Sequence, residues 1–225
     1  MALTENTQDA GDPERTLALS YAPPDARAGL AALLALDDAL AQLLRTTREP
    51  AIGQIRLAWW RERLAALDQA GAPAEPVLLG LATHLVPAGV RGAELVSIVD
   101  GWEILIEEVL DREALIRFGD QRGETLFRLA GRLRGGVPPA GAGAGWALAD
   151  LARHLADIDI AAMARQLAED ALSRGLAKRW PGNLRALGAL AHIARLDLTL
   201  PPDQPRPTGA PRRVGRMLWH RLTGR

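Results

Sequence analysis

The 225-residue chain contains no cysteine, which excludes a disulfide framework, a thiol nucleophile and a Cys-ligated zinc or iron–sulfur site. Residues that favour strands are also few, because 27 Ile, Val and Thr stand against 79 Ala and Leu. That ratio predicts helix almost everywhere. An excess of charge of either sign is missing too, since 27 basic residues balance 27 acidic ones. This balance argues against a uniformly basic nucleic-acid-binding protein.

No long apolar run is present. The longest candidate, residues 77–90, is interrupted by His84 and Pro87 and falls short of the roughly 18 apolar residues that span a bilayer. The N-terminal segment lacks the apolar stretch of a secretory signal. Because 48% of the residues are apolar, the chain can bury one sizeable core. We therefore expect a single-domain protein of the cytoplasm.

Helix starts are marked by prolines that follow a polar residue, as at Asp12-Pro13, Glu49-Pro50 and Glu75-Pro76. The stretch GGVPPAGAGAG at 135–145 is predicted to be a loop. With the 3.6-residue apolar period, these signals predict helices at 13–21, 25–46, 51–70, 76–86, 92–110, 112–134, 145–175 with a break near residue 157, and 182–197.

Candidate catalytic groups do not form a complete set. Two carboxylates four residues apart on a helix could share Mg²⁺, but Asp37 and Asp38 are adjacent and point about 100° apart. The histidines are too scattered for a short metal motif, and no P-loop or nucleophile elbow occurs. No catalytic residue is assigned from these patterns.

Several motifs nevertheless resemble the squalene/phytoene synthase family. Its opening pattern is matched, in order, by Ser20-Tyr21, Pro23-Pro24, Arg27 and Asp37-Asp38. The segment EPAIGQIRLAWWRE at 49–62 resembles the non-carotenogenic branch that includes a mitochondrial complex I assembly factor, through Gly53, Arg56, Trp60 and Arg61. Weaker similarity follows at 98–103, 118–131 and 146–155.

The resemblance implies an all-α, single-domain, isoprenoid-synthase-like helical bundle with a central cavity over residues 12–200. A disordered N-terminus would cover 1–11, and a Pro/Arg-rich linker with a basic amphipathic tail 201–225. In the family, two motifs of paired aspartates bind Mg²⁺ and the diphosphates of two prenyl donors. By resemblance, Asp37 and Asp38 are the metal candidates, and Tyr21, Arg27 and Arg153 the substrate-binding candidates.

The sequence departs from the family at the two metal-binding motifs. The first motif has Ala41 where its second carboxylate should be, and alignment on Arg153 puts His154 and Ile158 at the second motif. The favoured hypothesis is thus a non-catalytic member that acts as an assembly factor or binds an isoprenoid or other lipid. It would need no cofactor, and its partner could be a respiratory-complex subunit. The alternative is a Mg²⁺-dependent prenyltransferase that condenses two prenyl diphosphates head to head, with acids such as Asp100 or Glu103 completing the metal site.

The zero net charge is the sum of an acidic body and a basic C-terminal segment. Residues 1–203 carry a net charge of −6, whereas the last 22 residues hold six arginines and no acid. Within 212–222 a helix is predicted whose apolar residues share one face, flanked by arginines, as in helices that lie on anionic lipid. That face consists of Val214, Met217, Leu218, Trp219 and Leu222. Two interpretations of this tail stay open: peripheral binding at the inner face of a membrane, and an exposed tail or one docked on the protein's own acidic face.

Overall fold

The structure is a computed structural model that describes residues 12–47, 49–106, 109–201 and 204–225. The predicted disordered N-terminus, 1–11, lies outside these residues. The all-α prediction is confirmed, since no strand occurs in the described ranges. The α-helices there are α1 (Pro13–Ser20), α2 (Pro24–Thr46), α3 (Pro50–Ala65), α4 (Pro76–His84), α5 (Gly92–Glu103), α6 (Arg112–Phe118), α7 (Thr125–Arg132), α8 (Ala142–Ala152), α9 (Ile158–Gly175), α10 (Arg185–Asp197) and α11 (Pro211–Thr223).

Local sequence explains where most helices begin. Proline occupies the first turn of α1, α2, α3, α4 and α11, where its missing N–H has no helical partner to lose. The Asp12 carboxylate accepts from the backbone N–H of Glu14 at 2.8 Å, and Glu75 accepts from that of Leu78 at 2.7 Å. The helix starts predicted from the Asp-Pro and Glu-Pro pairs are therefore confirmed.

The core is built on the leucine face of α2. Leu33, Leu36 and Leu40 are completely buried, and Phe118 and Phe127 fill the interior beside them. Close packing of this kind supplies most of the stability of such helices, because isolated helices of this length are marginal in water.

A π-helical turn at Gly119–Glu124 joins α6 to α7, so residues 112–132 run as one interrupted helix. Two glycines let this turn approach its neighbours. A Cβ on Gly101 of α5 would lie 2.7 Å from the backbone nitrogen of Arg122, and one on Gly123 would lie 2.1 Å from the carbonyl oxygen of Gly143 in α8. Glycine is required there because any side chain would push these backbones apart.

The predicted loop at 135–145 is wrong in its second half, because α8 begins at Ala142. Gly143 and Gly145 are helical, and both are packed against other elements: a Cβ on Gly143 would clash with Gly123, and one on Gly145 with Leu172 of α9. Low complexity here reflects close helix packing, which a local composition rule cannot distinguish from a flexible connection.

The C-terminal helix is confirmed as α11, but its predicted common apolar face is wrong. Met217 is completely buried against the body, whereas Leu218, Trp219 and Leu222 are exposed. The face that contacts α1 and α10 is largely polar, because Arg213 and His220 are buried beside Met217. No helix of the described residues is long and apolar enough to cross a membrane.

Two buried histidines lie where α11 packs on α10. The rings of His192 and His220 are 4.6 Å apart, and the Arg216 guanidinium lies 3.0 Å from the His192 ring. Burial, followed by the nearby Arg216, lowers the pKa of His192 to about 3. Burial, followed by Arg185, lowers the pKa of His220 to about 4. Both histidines are therefore neutral in the folded protein at neutral pH.

These lowered pKa values predict that acid destabilises the folded protein at pH values above those at which carboxylates titrate. The unfolded chain takes up protons on both histidines below about pH 6.5, but the folded chain does not, so acid favours unfolding. We expect the free energy of unfolding to fall by ~1–2 kcal/mol for each histidine between about pH 7 and pH 5. Chemical denaturation at several pH values in this range measures the slope of the free energy of unfolding against pH. His220→Gln should reduce the slope, whereas His84→Gln, at an exposed position of α4, should leave it unchanged.

Candidate functional site

A charged cavity of about 100 Å³ lies among α1, α2, α8 and α10. Its charged lining comprises acids and arginines contributed by helices distant in sequence, with a few apolar side chains such as Leu34 and Trp146. The acids are Asp12, Glu14, Asp37, Asp38, Asp150 and Asp197, and the arginines are Arg15, Arg45, Arg122 and Arg206.

At the centre, the Asp37 carboxylate of α2 is bound on both oxygens by protein donors. Arg122 Nε donates to Asp37 Oδ1 and Nη2 to Oδ2, each at 2.8 Å, which is a bidentate ion pair. The indole N–H of Trp102 donates to Oδ1 at 2.9 Å. Because the three side chains come from α2, α5 and the π-helical turn, this contact joins three elements.

Arg122 is 3% exposed and is held by more than its pairing with Asp37. Its guanidinium carbon lies 4.2 Å from the ring centroid of Trp102 and 4.9 Å from that of Trp146, at distances typical of cation–π contacts. Burial alone would lower the pKa of Arg122, but the attraction of Asp37 and Asp150 outweighs it and raises that pKa above its usual range. The side chain is a permanent buried cation.

Asp150 of α8 is the second acid on this guanidinium. Arg122 Nη2 donates to Asp150 Oδ2 at 2.9 Å, and Arg206 Nη2 donates to Oδ1 at 3.2 Å. Burial would raise the pKa of Asp150, but Arg122 and the other cations around it hold that pKa well below its usual range. Asp150 is therefore an ionised carboxylate with both oxygens occupied.

The ion pairs continue outward to the N- and C-terminal helices. Arg206 Nε lies 3.2 Å from Asp197 Oδ2, and Arg213 of α11 lies 2.6 Å from Asp197 Oδ1. Arg213 also binds Glu14 of α1 at 2.8 Å. We call this series the central ion-pair chain; its members, in order, are Asp37, Arg122, Asp150, Arg206, Asp197, Arg213 and Glu14.

The residues at the centre do not fit Mg²⁺. A magnesium ion takes about six oxygen ligands in near-octahedral geometry. Here the oxygens of Asp37 and Asp150 already accept from arginine and tryptophan, and Arg122 presents N–H donors between them. Among the described residues, no group of three or more His, Cys, Asp or Glu side chains could hold a metal ion.

The two metal candidates both line the cavity but have different partners. Asp37 is buried and pairs with Arg122. Asp38 is half exposed and pairs with Arg15 at 2.7 Å. Asp100 and Glu103, suggested as additional metal ligands, do not line this cavity; both bind Arg61 on α3. Their recruitment to the central site is contradicted by this arrangement.

The three substrate-binding candidates lie outside the cavity lining. Tyr21 packs below the Arg221 guanidinium, 4.9 Å from its ring centroid, and Arg27 donates to the backbone carbonyls of Ser20 and Ala22. Arg153 donates to the carbonyl of Gln204. In this structure all three contacts are structural, and a role in substrate binding stays a prediction.

The alignment on Arg153 places three non-acidic residues at the motif positions, and two of them come together. Ala41 and His154 both line a small cavity that adjoins the central one and shares Arg122 and Asp150, whereas Ile158 is exposed. Neither Arg122 nor Asp150 was predicted as a site residue from the sequence. The available signals were a lone acid in the apolar run WALADLA and an arginine beside Gly123 in a helix.

Together, the helical bundle and the two facing helices with acids at a central cavity define an all-α protein of the isoprenoid-synthase class. A sequence model of the squalene/phytoene synthase family matches residues 8–175, three quarters of the chain. The chain belongs to this family. It is also similar to a dehydrosqualene synthase crystallised with a ligand, with a TM-score of 0.69 and 13% sequence identity, over 92% of this chain and 89% of that one. No curated protein sequence matches the chain.

Proposed function

We propose that this chain is a non-catalytic member of the squalene/phytoene synthase family that acts as an assembly factor. The observation that carries the proposal is the Arg122 guanidinium, which is bound by Asp37 and Asp150 at the centre of the bundle. A fixed cation there balances both carboxylates without a metal. Prenyl transfer in this family depends on metal-bound diphosphate, so a filled centre removes the group that would activate the leaving diphosphate.

The cavity favours an assembly role over the storage of a lipid. At about 100 Å³ it is smaller than the roughly 300–1,000 Å³ of sites that bury small molecules. Its charged lining is also unsuited to a prenyl chain, because burying apolar groups against charged side chains gains little. The interior that could have held such a chain is filled by side chains such as Phe118, Phe127 and Trp146.

The enzymatic test is a turnover assay with farnesyl and geranylgeranyl diphosphate. We expect no Mg²⁺-dependent release of diphosphate from the purified full chain, with an active squalene or phytoene synthase assayed in parallel. Calorimetry should show no Mg²⁺-dependent binding of either prenyl diphosphate. Turnover that is lost on Asp38→Asn would instead establish the prenyltransferase alternative, because Asp38 is the cavity acid whose replacement disturbs the buried pairs least.

The assembly role has its own test. In cells that lack the gene, we expect less of an assembled respiratory complex, and expression of the wild-type chain should restore it. The Asp38→Asn variant should restore it equally, since the proposed role needs no metal ligand. Restoration by the wild type but not by this variant would contradict a non-catalytic role.

A further inference from the structure

Helix α11 carries its apolar side chains on the face that points away from the protein. Leu218, Trp219 and Leu222 follow the i, i+1, i+4 pattern of one helix face, and Trp219 and Leu222 are 56% and 77% exposed. The opposite face contacts the body through Arg213, Met217 and His220, all nearly or completely buried. The usual polarity of a surface helix is therefore inverted.

The inversion follows from the polar contacts that α11 makes with the rest of the protein. Arg213 is fixed by Glu14 and Asp197, and the Arg185 guanidinium donates to the carbonyl of His220. These contacts set the rotation of α11, and they turn Leu218, Trp219 and Leu222 outward. We call these three residues the apolar stripe; a contiguous exposed set of this kind marks an interaction surface.

The surroundings of the stripe are basic. Arg212 and Arg221 are exposed on α11, and the chain has no acidic residue after Asp203. At the C-terminal end, exposed Arg179 donates from Nε to the carbonyl of Thr223, which brings it beside the last turn. Arg225, which follows the last turn, is exposed as well.

We propose that α11 binds an anionic bilayer surface, with the apolar stripe inserted among the lipids and the arginines on the headgroups. An exposed tryptophan and two leucines bordered by arginines on one short helix have the composition of an interfacial helix. The basic border also gives the complementary charge for anionic lipid. This inference uses neither the central cavity nor the absence of catalysis, so it stands apart from the proposed function.

Vesicle co-sedimentation of the full chain tests the proposal. We expect binding to phosphatidylcholine vesicles that contain about one-third phosphatidylglycerol, and weaker binding at high salt. Leu222→Glu should lower the partition coefficient by about tenfold. Ile158→Glu is the matched control, because Ile158 is 82% exposed in a helix and the change adds the same charge. Its binding should equal that of the wild type.

A fluorescence measurement separates insertion from simple adsorption by charge. The difference in emission between the wild type and Trp219→Phe isolates Trp219, and it should shift to shorter wavelength on anionic vesicles. Equal co-sedimentation of wild type and Leu222→Glu, or an unshifted Trp219 emission, would overturn the proposal. So would a dimer in solution that Leu222→Glu dissociates, since the stripe would then be an interface between two copies.

Discussion

Arg122→Met is expected to lower the free energy of unfolding by about 3–5 kcal/mol, because it leaves the buried Asp37 and the partly buried Asp150 without their cation. Among the described residues, the partners left would be the indole N–H of Trp102 for Asp37, and Arg206 with the neighbouring His154 for Asp150. Methionine fills a similar volume, so the loss would come from charge rather than from a cavity. Chemical denaturation at neutral pH measures it.

The matched control is Arg128→Met, in the same interrupted helix. Arg128 is half exposed and pairs with Glu94 at 3.4 Å, so its replacement should cost less than about 1 kcal/mol. Combining Arg122→Met with Asp37→Asn should be less destabilising than the sum of the two single changes, because the second removes the charge that the first leaves unpaired. Two results would contradict a central role for the Arg122 cation. One is that the effects of Arg122→Met and Asp37→Asn on the free energy of unfolding simply add. The other is that Arg122→Met and Arg128→Met lower it equally.

Under the proposed non-catalytic function, the same cation accounts for a stable centre of the family fold without a metal. Facing acids at the centre of a bundle repel each other unless a positive charge lies between them. In this chain a guanidinium supplies that charge from within the protein, fixed by two hydrogen bonds to Asp37 and one to Asp150. The non-acidic Ala41 is consistent with this proposal, since one arginine cannot satisfy a full set of metal ligands.

Local features were predictable from the sequence, and long-range pairings were not. The starts of α1 and α4 follow from a proline and an acidic cap within a few residues. Arg122, in contrast, binds Asp37 across 85 positions, and no local pattern distinguishes it from a surface arginine. Once the fold brings α2, α5 and α8 together, only tertiary packing decides which charges are buried.

The orientation of α11 failed to follow from its sequence for a related reason. Hydrophobic periodicity assumes that the apolar face of a helix turns inward. Here Glu14 lies 199 positions from Arg213, and their buried ion pair outweighs the burial of Leu218 and Leu222. Because α11 docks through charge, Met217 alone of the predicted apolar face is completely buried, and Leu218, Trp219 and Leu222 stay exposed.

Arg213→Met should release α11 from the body and lower the free energy of unfolding by about 3–5 kcal/mol, because Glu14 and Asp197 would both lose a buried partner. The neighbouring Arg212→Met is the control; Arg212 is exposed, and its replacement should change stability by less than about 0.5 kcal/mol. Denaturation at neutral pH compares the two.

Tyr21 provides an independent readout of whether α11 is docked, because it is the chain's one tyrosine and it packs below Arg221. Burial raises the pKa of Tyr21, against a smaller lowering effect of Arg221. If α11 leaves the body in Arg213→Met, the pKa of Tyr21 should fall toward its ordinary value of about 10. Absorbance of the phenolate during alkaline titration follows this change. A pKa of Tyr21 equal in Arg213→Met, Arg212→Met and the wild type would show that α11 stays docked without Arg213, through remaining contacts such as those of Arg185 and Met217.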